Sequence, residues 1–193
     1  MSTSLADLRE LLLSEGGLIA TLVGDLDGAN GAAPAGAGGA DAGAGRAREV
    51  WSPAALAAAG PRAEGRREEY ELLVDAIYEG YLLHYGQPRV VRAREADVGV
   101  LAGDRLYAIG LERLVALGDA DAVAELADTI MLSALAQGSG EVELAQAIWD
   151  AGARAVGWGT SAEHARAKTL VLEGSGEALE AMRTSARPLP GTR

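Results

Sequence analysis

The chain has 193 residues, a net charge of −11 and no cysteine. This length is enough for one sizeable core, and the absence of cysteine excludes disulfides and thiolate metal sites and fits a reducing compartment. An acidic chain without a basic stripe does not suit a phosphate backbone, so nucleic acid is not an expected partner. Hydrophobic residues make up 49% of the chain and are mostly alanine, leucine and valine, which favours helices over strands.

The N-terminal segment, residues 1–23, is predicted to be a helix. Ser4 is a suitable N-cap and apolar residues follow it at helical spacing, although Gly16 and Gly17 weaken the middle. We expect this helix to dock on the core or on a partner subunit, with a membrane-surface or regulatory role as the alternative. Its polar face is acidic, which argues against membrane binding. The start of the chain is not basic like a signal peptide and no apolar run is long enough to span a membrane, so we expect a cytoplasmic protein.

The next segment, residues 24–48, is dominated by alanine and glycine and has little to bury, so it is predicted to be a flexible linker. A helical domain is predicted to follow over residues 49–186. The tail, residues 187–193, contains Pro188 and Pro190 and is expected to fray.

Within the helical domain, apolar periodicity and glycine or proline breaks predict seven helices. Ser52 and Pro53 form a start signal for the first, and Gly103 in the middle of the third indicates a close helix crossing. Short connections favour antiparallel neighbours, so the predicted fold class is all-α, an antiparallel helical bundle. The predicted ranges are 49–60, 63–83, 94–117, 120–137, 142–156, 161–172 and 177–182.

The strongest candidate for a functional site is the pair Asp75 and Glu79. Because they are four residues apart, both carboxylates project from one helical face and repel each other unless a cation lies between them. One interpretation is a magnesium or diphosphate site. The other is an acidic face that is solvated or paired with Arg66, Arg67 or Arg89.

The stretch around this pair resembles the trans-isoprenyl diphosphate synthases, the polyprenyl synthetase family. That family has an aspartate-rich helix, a Gly-x-Pro turn and a second helix with Leu-x-Gly-Asp. The matching residues here are Asp75, Glu79, Gly86, Pro88, Gly103 and Asp104. The resemblance covers residues 66–141, with a weaker match at Lys168-Thr169. It implies part of the isoprenyl synthase fold, a prenyltransferase ancestry, and Mg²⁺ held at the positions of Asp75 and Glu79.

The resemblance also implies candidate substrate-binding residues. Lys168 matches a lysine that contacts phosphate, and Tyr70 lies just upstream of the first motif, where the family controls chain length. Arg89, beside the Gly-x-Pro turn, is a third candidate. The sequence departs from the family at His84-Tyr85, which replace a pair of arginines and so remove two permanent charges.

Further departures affect the metal motifs. Ala76 stands where a second aspartate is expected, and no second aspartate-rich motif follows Thr169. Helix packing residues are thus retained while charge-handling residues are lost. We therefore expect a catalytically degenerate isoprenyl-synthase-like protein that acts by association, as a homodimer or as the small subunit of a full-length prenyl synthase.

Two alternatives stay open. One is an active prenyltransferase or prenyl-diphosphate-binding protein that uses Asp75 and Glu79 with Mg²⁺, and the other is an unrelated helical interaction module. A hydrolytic site is not predicted, because no carboxylate is placed by spacing to orient His164. Trp149 and Trp158 are predicted to serve packing or a subunit interface.

Overall fold

The computed structural model describes residues 3–24 and 52–187. These residues form nine α-helices, which confirms the all-α prediction for this part of the chain. The helices are α1 (Thr3–Glu15), α2 (Gly17–Thr21), α3 (Pro53–Ala58), α4 (Arg67–Tyr85), α5 (Ala96–Ala116), α6 (Ala120–Gly138), α7 (Val142–Trp158), α8 (Ala162–Leu172) and α9 (Ala178–Ser185). The predicted linker apart from Gly24, and the predicted tail apart from Arg187, lie outside the described residues.

The N-terminal segment is two helices where one was predicted. Gly16 and Gly17 have φ values of 68° and 60°, a left-handed conformation that ends α1 and re-aims the chain. Leu8 and Leu12 of α1 are fully buried in a cluster with Leu106 of α5. The segment therefore docks on the core, one of the two placements predicted for it.

The end of α2 is tied to the loop after α4. Gly24 N donates to Val90 O at 3.0 Å, and Arg92 N donates to Leu22 O at 2.7 Å. These bonds make a short antiparallel bridge between Val23 and Val91. The bridge anchors residues 90–92 against the N-terminal segment.

Helices α4 and α5 pack through glycines, as predicted for Gly103. A Cβ built on Gly110 would lie 2.3 Å from Ile77 Cγ1, and one on Gly80 would lie 2.9 Å from Gly103 O. Since real Cβ atoms are not found so close to other heavy atoms, the two helices approach at a distance that only glycine allows. His84 lies above Gly103 and stacks on the Tyr107 ring.

Helix α7 is the central helix of the bundle. Twelve of its 17 residues are buried, and it packs against α3, α6 and α9. Trp149 is fully buried, with its ring 4.9 Å from Tyr78 and 5.2 Å from Tyr81 between centroids. No described helix is both long and apolar enough to cross a membrane.

Candidate functional site

The carboxylates of Asp75 and Glu79 are buried on α4, with side chains 2% and 0% exposed. Arg89 lies against both: its Nη1 is 3.0 Å from Asp75 Oδ1 and its Nε is 3.1 Å from Glu79 Oε2. The cation that this acidic pair requires is therefore a guanidinium of the same chain. Of the three arginines predicted as possible partners of this pair, Arg89 is the one that contacts it.

Backbone groups complete this network. Glu79 Oε1 accepts hydrogen bonds from Val90 N at 2.6 Å and Val91 N at 3.0 Å, and Arg89 Nη2 donates to the carbonyl of Asp75 at 3.3 Å. The guanidinium also lies 5.2 Å from the centroid of the Tyr78 ring. Burial alone would lower the pKa of Arg89, but the two carboxylates and their hydrogen bonds outweigh burial and raise it.

A magnesium ion does not fit this network as it stands. Mg²⁺ needs oxygen ligands in a near-octahedral shell, whereas one oxygen of each carboxylate, Asp75 Oδ1 and Glu79 Oε2, already binds Arg89. Among the described residues, no group of three or more histidine, aspartate or glutamate side chains is placed to hold a metal. Magnesium binding here stays a prediction, and it requires Arg89 to leave.

Tyr70 lies in a different network at the start of α6. It is fully buried, and its hydroxyl donates to Asp119 Oδ2. Asp119 also caps α6 through Ala122 N at 3.0 Å and pairs with Arg62 at 2.7 Å. Burial, and then the hydrogen bond to Asp119, raise the pKa of Tyr70 to about 12. Its observed contacts are those of a residue that holds the start of α6 against α4.

Lys168 belongs to a third network, between α6 and α8. Its Nζ donates to Glu125 Oε2 at 3.0 Å and to Asp128 Oδ2 at 2.7 Å. Glu125 is 4% exposed, and its other oxygen lies 2.6 Å from Nε2 of the buried His164. Thr160 Oγ1 also donates to Glu125, at 2.8 Å.

Glu125 is thus a central residue that the sequence analysis missed. Burial by itself would raise the pKa of this carboxyl, but the hydrogen bond from His164, the charge of that ring and the bonds from Thr160 and Lys168 lower it. A signal was available, because Glu125 falls on the buried face of α6 beside Leu126 and Ala122. A charged residue on an apolar helical face is rarely buried without a partner.

On its other side, His164 faces a groove between the end of α7, the start of α8 and the end of α9. The groove has a volume of about 670 Å³ and is lined by His164, Ser185, Arg154 and Trp158, among others. His164 Nδ1 lies 3.2 Å from Ser185 Oγ. A carboxylate does therefore orient this histidine, which spacing alone did not indicate.

This serine, histidine and glutamate do not form an activated nucleophile. Ser185 Oγ donates to Met182 O at 2.9 Å, a bond within its own helix. Nucleophilic catalysis requires the hydroxyl to donate to the base. The arrangement positions the imidazole and holds α9 against α8.

The structure brings together Arg89, Asp75 and Glu79 among the predicted site residues. Tyr70 and Lys168 lie in two other networks, each closed by its own carboxylates. Comparison of the chain with protein-family models, curated proteins and solved structures found no match.

Proposed function

We propose that this protein is an isoprenyl-synthase-like helical protein that has lost catalysis and works by association, as a homodimer or as the small subunit of a full-length prenyl synthase. The observation that carries the proposal is the bond between Arg89 and the pair Asp75 and Glu79. In the family that the sequence resembles, the matching positions hold magnesium. With a guanidinium of the same chain at that place, the residues at the metal-motif positions form a structural ion pair instead.

The contacts of Arg89 favour a permanent ion pair. Arg89 makes bonds to two buried carboxylates and to a backbone carbonyl, and removing one partner of such a network leaves a buried charge uncompensated. A hydrated Mg²⁺ would have to displace the guanidinium and would gain only two carboxylates, without the substrate phosphates that usually complete its shell. Arg89 therefore competes well with Mg²⁺ for the carboxylates of Asp75 and Glu79.

Exposed apolar side chains support a role in association. Leu101 and Val115 on α5, and Met131 and Leu135 on α6, are large hydrophobic residues at the surface. Helices α5 and α6 are neighbours in the bundle. Apolar side chains that neighbouring helices expose are the kind of surface that a partner subunit buries.

Activity is tested by incubating the purified chain with Mg²⁺, isopentenyl diphosphate and allylic diphosphates of several lengths, and by analysing the products. The expected result is no product. Turnover that is abolished by Asp75→Ala would contradict the proposal and favour an active prenyltransferase. The ion pair accounts for the expected result because the metal ligands of the first motif are occupied.

Association is tested by light scattering on the full chain, and by affinity capture with a prenyl synthase that carries both aspartate-rich motifs. The double variant Met131→Glu and Leu135→Glu is expected to weaken the assembly. Leu172→Glu is the control, because Leu172 is also an exposed apolar residue, at 58% against 46% for Met131 and 45% for Leu135, but lies on α8. A strict monomer that binds no prenyl synthase would refute the proposal.

A further inference from the structure

The groove at the end of α7 contains a buried cation that has no anionic partner among the described residues. Arg154 is 8% exposed, yet within residues 3–24 and 52–187 its guanidinium makes no hydrogen bond or ion pair. Its one specific contact in that part of the chain is with the Trp158 ring, 4.7 Å from the centroid. Buried charges are normally paired because desolvation is costly. The guanidinium nitrogens of Arg154 are not fully buried, so a compensating group can reach them from the groove that Arg154 lines.

The surroundings of Arg154 explain where such a group would lie. Arg154 lines the same groove as the first residues of α8, where Ser161 caps the helix by accepting from His164 N at 3.1 Å. A helix N-terminus favours negative charge through its N–H groups and its dipole, although in α8 the hydroxyl of Ser161 and the carboxylate of Glu163 already accept from two of these N–H groups. Thr184 and Ser185 add hydroxyl groups from α9 to the same lining.

The charges around the groove are of both signs. Arg187 lines it and lies 3.6 Å from the exposed Glu180. Glu163 also lines it, and hydrogen bonds to its own backbone N–H and to Ser161 lower the pKa of this carboxyl. Glu125 lies behind His164 and is compensated by Lys168. Arg154 is therefore the lining cation without an ion pair among the described residues, and Glu163 is a carboxylate of the same lining that also has none.

Apart from Thr160, the rest of the lining is apolar. Pro61, Ala151, Ala155 and the ring of Trp158 face the groove. Its volume of about 670 Å³ falls in the range of small-molecule sites, which combine a largely apolar wall with a few placed polar groups. Such a wall suits the body of an organic ligand better than a free inorganic ion.

We propose that this groove binds a small amphiphilic anion, with its carboxylate or phosphate head on Arg154 and its apolar body along Trp158 and Ala155. Arg154 supplies a planar fork of donors that matches the oxygens of either head group. The inference is independent of the association proposed above, since it involves different residues and no catalysis.

The test is isothermal titration of the full chain with octyl phosphate, octanoate, 1-octanol and inorganic phosphate. Either or both octyl anions are expected to bind at one site, about tenfold or more tightly than 1-octanol, because a charged hydrogen bond contributes about 1.5–3 kcal/mol. Inorganic phosphate is expected to bind more weakly than octyl phosphate. The ratio between octyl phosphate and octanoate identifies which head group the site prefers.

Substitutions of Arg154 test whether the anion binds in this groove. Arg154→Met is expected to weaken binding of the preferred octyl anion about tenfold or more. Arg154→Lys keeps the charge and loses the planar fork, so its affinity is expected to lie between those of Arg154→Met and the parent. The matched control is Arg166→Met on the exposed face of α8, which should bind as the parent does. Circular dichroism establishes that each variant is folded.

Three results would overturn the proposal: no binding of either octyl anion, 1-octanol binding as tightly as both anions, or full affinity in a folded Arg154→Met variant. If Arg154→Met does not fold, the comparison of anions with 1-octanol on the parent chain still decides, together with Arg154→Lys. An Arg154→Lys chain that binds the anions as the parent does would refute the role of the guanidinium fork.

Discussion

Nη1 of Arg89 lies 3.0 Å from Oδ1 of Asp75, a carboxylate that is 2% exposed. Arg89 comes from the loop after α4, so this contact also fixes that loop on the helix. The same guanidinium reaches Glu79 one helical turn further along. The contact explains how two like charges are tolerated inside a helical bundle.

Arg89→Met is expected to lower the free energy of unfolding by about 3–5 kcal/mol, because it leaves two buried carboxylates without their cation. The measurement is urea denaturation at neutral pH. Arg67→Met is the matched control, since Arg67 is an exposed arginine in the first turn of α4, and its effect should stay within about 0.5 kcal/mol. Equal effects of the two substitutions would show that the pair with Arg89 is not structural.

Gly110→Ala is expected to destabilise the protein by about 1–3 kcal/mol, because the new methyl group would force Ile77 and the α4–α5 crossing to shift. Gly138→Ala serves as the control. It lies at the end of α6, where an added methyl group would meet no atom within 4 Å, so alanine should be neutral or stabilise by about 0.4–1 kcal/mol. The midpoint temperature of thermal unfolding should therefore fall in Gly110→Ala and should rise or stay unchanged in Gly138→Ala. A Gly110→Ala variant as stable as the parent would mean that the crossing is looser than described.

The bonds of Glu125 predict a defined pH dependence. Because they lower its pKa in the folded state below the ordinary value of 4.5, its contribution to stability is complete above that value and is lost as the pH falls through the folded pKa. The stability difference between the parent and Glu125→Gln should thus shrink as the pH falls below about 4.5. Chemical denaturation at a series of pH values measures this difference.

Glu143→Gln is the control for Glu125→Gln. Glu143 pairs with Arg183 at the surface at 2.8 Å, with side chains 76% and 48% exposed, so its loss should change stability by less than about 1 kcal/mol. A parent-to-Glu125→Gln difference that grows as the pH falls below about 4.5 would contradict the assigned bonds.

Leu12→Ala is expected to destabilise the docking of α1 by about 2–5 kcal/mol, because Leu12 is fully buried in the cluster that α1 shares with α5. Leu13→Ala is the neighbouring control, since Leu13 is 42% exposed and should cost less than about 1 kcal/mol. Hydrogen exchange of the α1 amides measures the docking directly. Unchanged protection in Leu12→Ala would mean that α1 does not depend on this contact.

Much of the fold was predictable because local signals agree with the tertiary structure. Gly86 and Pro88 end α4 near the expected place, and Ser52 caps α3 through Ala54 N at 3.2 Å. The division of the N-terminal segment was not predicted. There the left-handed conformation of Gly16 and Gly17 outweighs the apolar periodicity that suggested one helix.

Local spacing was enough to predict the cation beside Asp75 and Glu79, but not the contact between Glu125 and His164. Asp75 and Glu79 share a helical face by spacing alone, which is why a cation between them was expected. Glu125 and His164 are 39 residues apart, and no local rule places one beside the other. Their contact depends on how α6 and α8 pack.

The sequence by itself determined the helices after the N-terminal segment, their order and the need for a positive charge beside Asp75 and Glu79, because helical periodicity and glycine breaks are local properties. Only the tertiary structure decided that this charge is Arg89, since the choice depends on the loop that Val90 and Val91 anchor to Glu79. Tertiary packing likewise decided that Arg154 is buried in a groove without an acidic partner among the described residues, because burial and pairing are set by helices that meet from distant parts of the chain.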